Sequence, residues 1–419
     1  MSDAELVGVT GGVGGVAASY AAARELADAF DAAGDRLRSW AADGLRVMRD
    51  PDLLESGLLA PGSCAATEAA VLEAVGGPHG VASAAIGWEA DAVAVRVAIG
   101  CLEQTDDLVR IAISALDRQL VVALGSTLAL PVAADPGILT EHPGLTEHLV
   151  DGLGGPLAAL ALGTLYGSPG RAAVTPYDTS LPTTRPASVR DLVEHLHSVA
   201  ALSKGPGSPA NGTIEVQTIT HRGVVRHVVY LPGTDDFNAP WDQDRDVRDL
   251  ETDLDLAARQ PDAYRDGILE ALHQAGVRPD EPVLLVGHSL GGMAAAGILA
   301  GHSGLHVTDV VTAGSPTAQL PGFPQGSHVL SLEQRGDIVP ELDGAPNADS
   351  VEQTTVLFDA HPVPGVLAHH GYDAYVQGAE LVDSLADPSV ADAVGALHQH
   401  GFLGDGGEVT SQVFQITRH

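Results

Sequence analysis

The run VLLVGHSLGGMAAAG, Val283 to Gly297, places the strongest constraint on how this chain can fold. An apolar stretch of strand length meets Gly-x-Ser-x-Gly, and small residues compatible with a helix follow directly. Glycines on both sides of the serine remove side chains that would collide in a sharp turn. An ordinary strand-to-helix turn that contains a serine is the alternative. The context favours a strand, a strained turn with Ser289 at its tip as a nucleophile, and a helix.

A largely parallel sheet is predicted around this turn. Two β-rich runs, TIEVQTIT and VVRHVVYL, flank His221-Arg222-Gly223, which is typical of a hairpin. Further apolar runs at residues 283–286, 307–312 and 328–332 alternate with helical patterns near residues 262–275 and 290–299. Strands that alternate with helices predict a parallel α/β sheet covered on both faces.

Changes in composition divide the chain into three predicted parts. Residues 1–166 are predicted to form an N-terminal all-α helical domain, because Ala-rich stretches repeat apolar residues at helical spacing. Residues 167–204 are predicted to be a linker with a connecting helix, which a capping box of Ser188 and Asp191 opens. Residues 205–419 are predicted to be the α/β catalytic domain that carries Ser289.

The charge of the chain excludes several classes of partner. The formal net charge is -34, from 55 acidic and 21 basic residues, so no basic patch is available for nucleic acid or for anionic lipid. The apolar runs near residues 119–132 and 153–165 are shorter than the ~20 residues of a membrane span. The N-terminus has no positive side chain before its apolar part. We therefore expect no integral span, and a location in the cytoplasm or outside the cell without a cleavable signal peptide.

A nucleophilic serine needs a histidine to take its proton and a carboxylate to orient that histidine. Asp337 lies in the loop after the predicted strand His328 to Leu332, at the edge where catalytic groups of α/β sheets gather. Asp337 is therefore the predicted acid. A structural turn aspartate is the alternative for Asp337, and Glu333 and Asp343 remain weaker candidates.

The base is expected to follow the acid in the chain. The histidines after Asp337 are His361, His369, His370, His398, His400 and His419. His370 opens a predicted helix, and such a loop-to-helix junction can aim a side chain over the sheet edge. The adjacent His369 shares this position, so the residues alone leave His369 open as an alternative to His370.

An oxyanion hole needs hydrogen-bond donors fixed where negative charge develops. The backbone N–H of Leu290, the residue after the serine, is one predicted donor. The run VVYLPGTDDF predicts a second, because Gly233 lets the backbone approach a substrate closely and Thr234 follows with an N–H and a hydroxyl. An ordinary Pro-Gly turn is the alternative for this loop.

Four motifs between Thr213 and Tyr375 resemble the lipase class 3 group, the fungal-lipase-like α/β-hydrolases. They are GHSLGG at the serine turn, YLPGTDDF at the oxyanion strand, VVTAGSP at the next strand and GDIVPEL at the acid loop. In this group a tyrosine typically follows the histidine by five residues. His370 and Tyr375 have this spacing and His369 does not, so the resemblance selects His370.

The resemblance covers about the second half of the chain and implies hydrolysis of carboxylic esters, often of lipids, without a cofactor. No metal is expected either. Ser289, Asp337 and His370 would form the catalytic triad, with Thr234 and Leu290 as the oxyanion hole. Two alternatives are a phospholipase-type secreted effector and a non-catalytic α/β-hydrolase scaffold. In the effector, the helical domain would be an export module or would bind a protein partner.

The segment after the oxyanion loop, where a lid is expected, departs from typical lipases of this group. It reads DDFNAPWDQDRDVRDLETDLDL and is strongly acidic, with only two large aromatic residues, Phe237 and Trp241. A lid that opens onto lipid normally presents apolar surface. A small soluble ester is therefore an alternative to a lipid substrate.

Overall fold

The computed structural model of the chain describes residues 4–102, 170–205, 207–235, 246–248, 262–301, 303–361 and 366–419. The chain divides into two compact units. One unit comprises residues 17–114, and the other comprises residues 1–16 together with 115–419. The apolar runs near residues 119–132 and 153–165 lie outside the described residues.

The smaller unit is helical, as the sequence predicts. Its helices are α1 (Val16–Val47), α2 (Pro51–Leu59), α3 (Pro61–Gly76) and α4 (residues 81–102). Phe30 of α1 contacts Trp88 of α4 edge-to-face, with ring centroids 5.0 Å apart. Among the helices that the structure describes, none combines the length and the apolar character needed to cross a bilayer.

The larger unit is built on one nine-stranded sheet. Its strands are β1 (Glu5–Gly11), β2 (Ala172–Pro176), β3 (Thr213–His221), β4 (Val224–Leu231), β5 (Pro282–His288), β6 (His306–Ala313), β7 (His328–Gln334), β8 (Gln353–Asp359) and β9 (Glu408–Arg418). The spatial order is β1-β8-β7-β6-β5-β4-β3-β9-β2. Strands β4 to β8 are parallel, and the outer pairings are antiparallel. The sheet therefore has a parallel centre with antiparallel flanks.

Helices cover both faces of the sheet. They are α5 (Val189–Ala200), α6 (Ala263–Gln274), α7 (Leu290–Ala300), α8 (Val366–His369), α9 (Tyr372–Ser384) and α10 (Pro388–Gln399). One buried core joins the sheet to α5, α9 and α10, and a second core on the other face joins it to α6 and α7. Neighbouring residues of β6 alternate between the two cores, with Val311 in the first and Val310 in the second. This alternation is the period-two pattern of a strand buried on both faces.

The hairpin and the cap of the connecting helix form as predicted. His221 pairs with Val224 across a two-residue turn in which Arg222 and Gly223 have φ of 53° and 79°. Positive φ at both central residues matches the right-handed twist of the strands. Ser188 caps α5 by accepting from the N–H of Asp191 at 3.1 Å.

Two strands lie where the sequence predicts none. Glu5–Gly11, inside the range predicted as the helical domain, pairs antiparallel with β8. Ala172–Pro176, inside the predicted linker, pairs antiparallel with β9. Both segments are short, and both become strands because the adjacent edge of the sheet offers unpaired backbone groups. The larger unit therefore contains residues from before the helical unit as well as after it.

Candidate active site

Ser289 lies at the turn between β5 and α7, at the carboxyl end of a central parallel strand. Its backbone has φ 54° and ψ -124°, a region that non-glycine residues rarely occupy. The N–H of Ser289 donates to the carbonyl of Ala313 on the neighbouring strand at 2.9 Å. The strained turn is therefore fixed to the sheet, as in the predicted nucleophile turn.

Each of the three glycines around Ser289 faces a close neighbour. A Cβ on Gly287 would collide with the backbone of Gly291, and a Cβ on Gly291 would collide with the carbonyl oxygen of Leu231. A Cβ on Gly292 would collide with the hydroxyl of Ser315. The glycines are needed because strand, turn and helix approach one another backbone to backbone.

Asp337 and His370 are hydrogen-bonded to each other. Asp337 lies in the loop after β7, and its Oδ2 is 2.7 Å from Nδ1 of His370. Tyr375 donates its O–H to the same oxygen at 2.6 Å, and the N–H of Val339 donates to Oδ1 at 2.9 Å. The carboxylate side chain is fully buried, with both oxygens satisfied. An imidazole held this way at Nδ1 presents Nε2 for proton transfer.

Tyr375 is a buried donor in this arrangement. Burial, together with the nearby Asp337 carboxylate, holds the pKa of Tyr375 well above its ordinary value. The phenol therefore stays protonated and keeps donating to Asp337. The tyrosine spacing in the resemblance identified this residue, whereas its hydrogen bond to the acid is visible only in the structure.

The alternative acids and the alternative base have other partners. Glu333 accepts from the side chain of Asn347 at 2.6 Å, and Asp343 accepts from the N–H of Ala318 at 2.8 Å. His369 turns Nδ1 toward the carbonyl of Arg335 at 3.2 Å. The structure therefore pairs Asp337 with His370, and the alternative residues lie with other groups.

His288, the residue before the serine, joins the end of β5 to His370. It is buried, its Nε2 lies 2.9 Å from the carbonyl oxygen of His370, and the centroids of the two rings are 4.5 Å apart. Burial and the neighbouring His370 hold the pKa of His288 well below its ordinary value. His288 is thus a neutral ring that donates from Nε2 and supports the position of His370.

The loop after β4 lies against the serine turn. A Cβ on Gly233 would be 2.9 Å from the Cβ of Ser289, so only glycine allows this approach. The N–H of Gly233 donates to the hydroxyl of Tyr372 at 3.2 Å. Thr234 follows directly, and Leu290 begins α7, whose first N–H groups have no acceptor within the helix. Leu290 is therefore adjacent to Ser289 in the chain, and Thr234 follows the glycine that lies against the serine turn.

A buried ion pair supports this loop. Arg248 is fully buried and forms an ion pair with Asp235, whose N–H also donates to the carbonyl of Arg248 at 2.8 Å. Asp235 Oδ2 further accepts from the N–H of Gly212 at 2.9 Å. This role of Arg248 was not predicted from the sequence. The available signal was that the acidic run DQDRDVRDL contains two arginines, Arg245 and Arg248. Most of the predicted acidic lid, residues 236–245 and 249–261, lies outside the described residues.

Comparison with known proteins adds one match. Residues 236–325, about a fifth of the chain, match the model of an alpha/beta hydrolase family. The chain has an α/β-hydrolase fold. The matched segment includes β5, the Ser289 turn, α7 and β6, which form the centre of the site described above. No curated protein and no solved structure matches the chain. Lipase class 3 membership stays a prediction.

Proposed function

We propose that this chain is a serine hydrolase of carboxylic esters, with Ser289 as nucleophile, His370 as base and Asp337 as the acid that orients it. The observation that carries the proposal is the 2.7 Å hydrogen bond between Asp337 and His370. It lies at the sheet edge where Ser289 occupies its positive-φ turn. The order of the three residues along the chain is that of α/β-hydrolases.

In the first step, Ser289 Oγ attacks the ester carbonyl while its proton passes to Nε2 of His370. A carboxylate can only accept a hydrogen bond, so in this proposal Nδ1 of His370 donates to Asp337 and Nε2 is the basic nitrogen. The carboxylate also stabilises the imidazolium that forms. His370 then gives the proton to the departing alcohol, and the acyl group remains on Ser289.

The negative charge on the carbonyl oxygen is stabilised by the Leu290 N–H and by Thr234 in this proposal. Leu290 supplies an N–H from the first turn of α7, where the helix dipole adds to the stabilisation. Thr234 follows Gly233, which approaches Ser289 closely. Removal of one such donor typically costs about 10²- to 10³-fold in kcat.

In the second step, water attacks the acyl-enzyme and His370 takes its proton. As the tetrahedral intermediate collapses, the bond from Ser289 Oγ to the acyl carbon breaks, His370 returns the proton to Oγ, and the carboxylic acid leaves. These steps use only side-chain and backbone groups of the chain, so no cofactor is invoked. The resemblance to lipase class 3 directs the substrate proposal toward acyl esters of glycerol or phospholipids, and short soluble esters are the alternative within the same chemistry.

The test uses a fluorophosphonate probe, read by intact mass. We expect one adduct on the wild type, none on Ser289→Ala, and one on Ser384→Ala, which removes an exposed helical serine. Turnover of nitrophenyl esters of increasing chain length, measured on the same three proteins, should follow the labelling. An unlabelled wild type, or equal turnover by Ser289→Ala and wild type, would overturn the proposal. A non-catalytic scaffold would then be favoured.

A further inference from the structure

Three side chains that suit a metal ion meet near the amino ends of the parallel strands β6 and β7. Ser289 lies at the other, carboxyl end of the parallel strands. Asp309 of β6 and His328 of β7 are direct partners across parallel strands. Residues two places further along each strand, Val311 and Leu330, belong to the core beneath α10. Asp309 and His328 therefore share the face that α10 covers, and His400 is the C-cap residue that follows the last residue of α10.

The distances among the three side chains are short. Nδ1 of His400 lies 2.6 Å from Oδ2 of Asp309, and Nδ1 of His328 lies 3.7 Å from Oδ1 of Asp309. One ligand atom from each residue lies within 4.8 Å of the other two. Small rotations of the two imidazoles would place all three atoms about 2.0–2.2 Å from one shared ion.

Two atoms of this group are buried without a hydrogen bond. The Asp309 side chain is fully buried, and only its Oδ2 has a hydrogen-bond partner. Oδ1 of Asp309 and Nδ1 of His328 are both shielded from solvent and make no hydrogen bond in the part of the chain that the structure describes. An unsatisfied carboxylate oxygen that faces an unsatisfied imidazole nitrogen costs free energy, and a cation between them would remove this cost.

We propose that Asp309, His328 and His400 bind one divalent transition-metal ion of the zinc type. Two imidazole nitrogens and one carboxylate oxygen form a donor set that Zn²⁺ and Co²⁺ prefer, whereas Ca²⁺ and Mg²⁺ prefer oxygen ligands alone. A bound ion would take the place of the hydrogen bond between His400 and Asp309. The two histidine side chains are 28% and 33% exposed, which leaves a route from solvent and room for a water ligand.

The site is separate from the proposed catalytic centre. Asp309 precedes Ala313, the partner of the Ser289 N–H, by four residues on β6. This spacing corresponds to about 13 Å at the usual rise of a strand. A bound ion would thus tie β6, β7 and the end of α10 together, and it would stabilise the fold without taking part in ester hydrolysis.

The experiment measures zinc binding to the full-length, untagged protein after treatment with a chelator. Calorimetry with Zn²⁺ should give one site per chain. Co²⁺ should give the visible absorption bands that are typical of four- or five-coordinate cobalt. His328→Ala and His400→Ala should each weaken binding by about 100-fold or more, since each removes a direct ligand. His306→Ala is the matched control, because His306 begins the same strand β6 and is exposed.

Thermal unfolding gives a second readout. Zn²⁺ should raise the Tm of the wild type and of His306→Ala, and should not raise that of His328→Ala or His400→Ala. Circular dichroism establishes that each variant is folded before it is scored. Absence of binding to the wild type would overturn the proposal. Equal binding by the wild type and both ligand variants would also overturn it, since the ion would then be held adventitiously by other histidines. Either result leaves the proposed hydrolase function untouched.

Discussion

Nearly the same pair of residues occurs at both ends of the central parallel strands, in different surroundings. We call the carboxyl ends of these strands the first edge and their amino ends the second edge. Asp337–His370 and Asp309–His400 both join a fully buried carboxylate to a histidine Nδ1, at 2.7 Å and 2.6 Å. At the first edge, Tyr375 and a backbone N–H satisfy the rest of the carboxylate. At the second edge, one carboxylate oxygen has no hydrogen-bond partner in the described part of the chain. The carboxylate–histidine pair alone therefore does not indicate its function, whereas the groups that surround the pair do.

The backbone around the two pairs also differs. The Asp337 pair lies at the carboxyl ends of parallel strands, beside a strained serine and the N-terminus of α7. The Asp309 pair lies near the amino ends of the same strands, beside a second histidine. Strained turns and helix N-termini favour nucleophilic chemistry, whereas convergent imidazoles favour a metal ion.

The largest expected effect comes from changing each carboxylate to its amide. Asp337→Asn should lower kcat by about 10³- to 10⁴-fold, because the amide cannot hold the productive tautomer of His370, and should leave zinc affinity unchanged. Asp309→Asn should abolish zinc binding. Steady-state ester kinetics and zinc calorimetry on both variants measure this separation. Loss of both properties in either variant would show that the two edges are not independent.

Helix α7 is packed closely at Gly291, beside Ser289, and has space at Gly297, about two turns further along. Gly291→Ala should lower the free energy of unfolding by about 3 kcal/mol, because the new Cβ meets the Leu231 carbonyl. Gly297→Ala, in the same helix, has no atom near the new Cβ and should raise that free energy by ~0.5–1 kcal/mol. Urea unfolding of both variants measures whether the free energy of unfolding falls in Gly291→Ala and rises in Gly297→Ala. Equal effects would contradict a tightly packed serine turn.

A smaller effect is expected from the tyrosine that satisfies Asp337. Tyr375→Phe removes a 2.6 Å hydrogen bond to the acid and should lower kcat about tenfold with KM little changed. Tyr230→Phe is the control, since it removes a 3.4 Å hydrogen bond to Gln217 from another buried tyrosine. A shift in the pH profile of kcat for Tyr375→Phe alone would show that the phenol positions the acid. An unchanged kcat and profile would rule this out.

The smallest expected effect is a pH dependence of stability from His288. Its pKa is held well below the unfolded value of about 6.5, so the folded chain binds fewer protons than the unfolded chain below that pH. Stability present above pH 6.5 is therefore lost as the pH falls, by at most about 1.4 kcal/mol per pH unit. Urea unfolding from pH 8 to pH 5 should show a shallower loss for His288→Asn.

The control for that measurement is His273→Asn, since the His273 side chain is 85% exposed. This variant should retain the slope of the wild type. A wild-type slope in His288→Asn would show that other groups cause the acid sensitivity.

The sequence by itself determined the features that depend on local geometry. Gly-x-Ser-x-Gly after an apolar run specifies the turn at Ser289, and the hairpin at Arg222-Gly223 follows from its two flanking β-rich runs. Chain order and loop position led to Asp337, and the resemblance led to His370. The turn and the hairpin were predictable because each depends on residues close together in the chain. The catalytic roles of Asp337 and His370 stay predictions.

Only the tertiary structure decided the features that depend on residues far apart in the chain. Glu5–Gly11 becomes a strand only because β8 presents a free edge more than 340 residues later. Asp309, His328 and His400 have no metal-binding spacing in the sequence. They meet because β6 and β7 are in register and α10 ends above them. Local sequence fixes turns and caps, whereas the pairing register of strands and the packing of helices fix which distant side chains share one site.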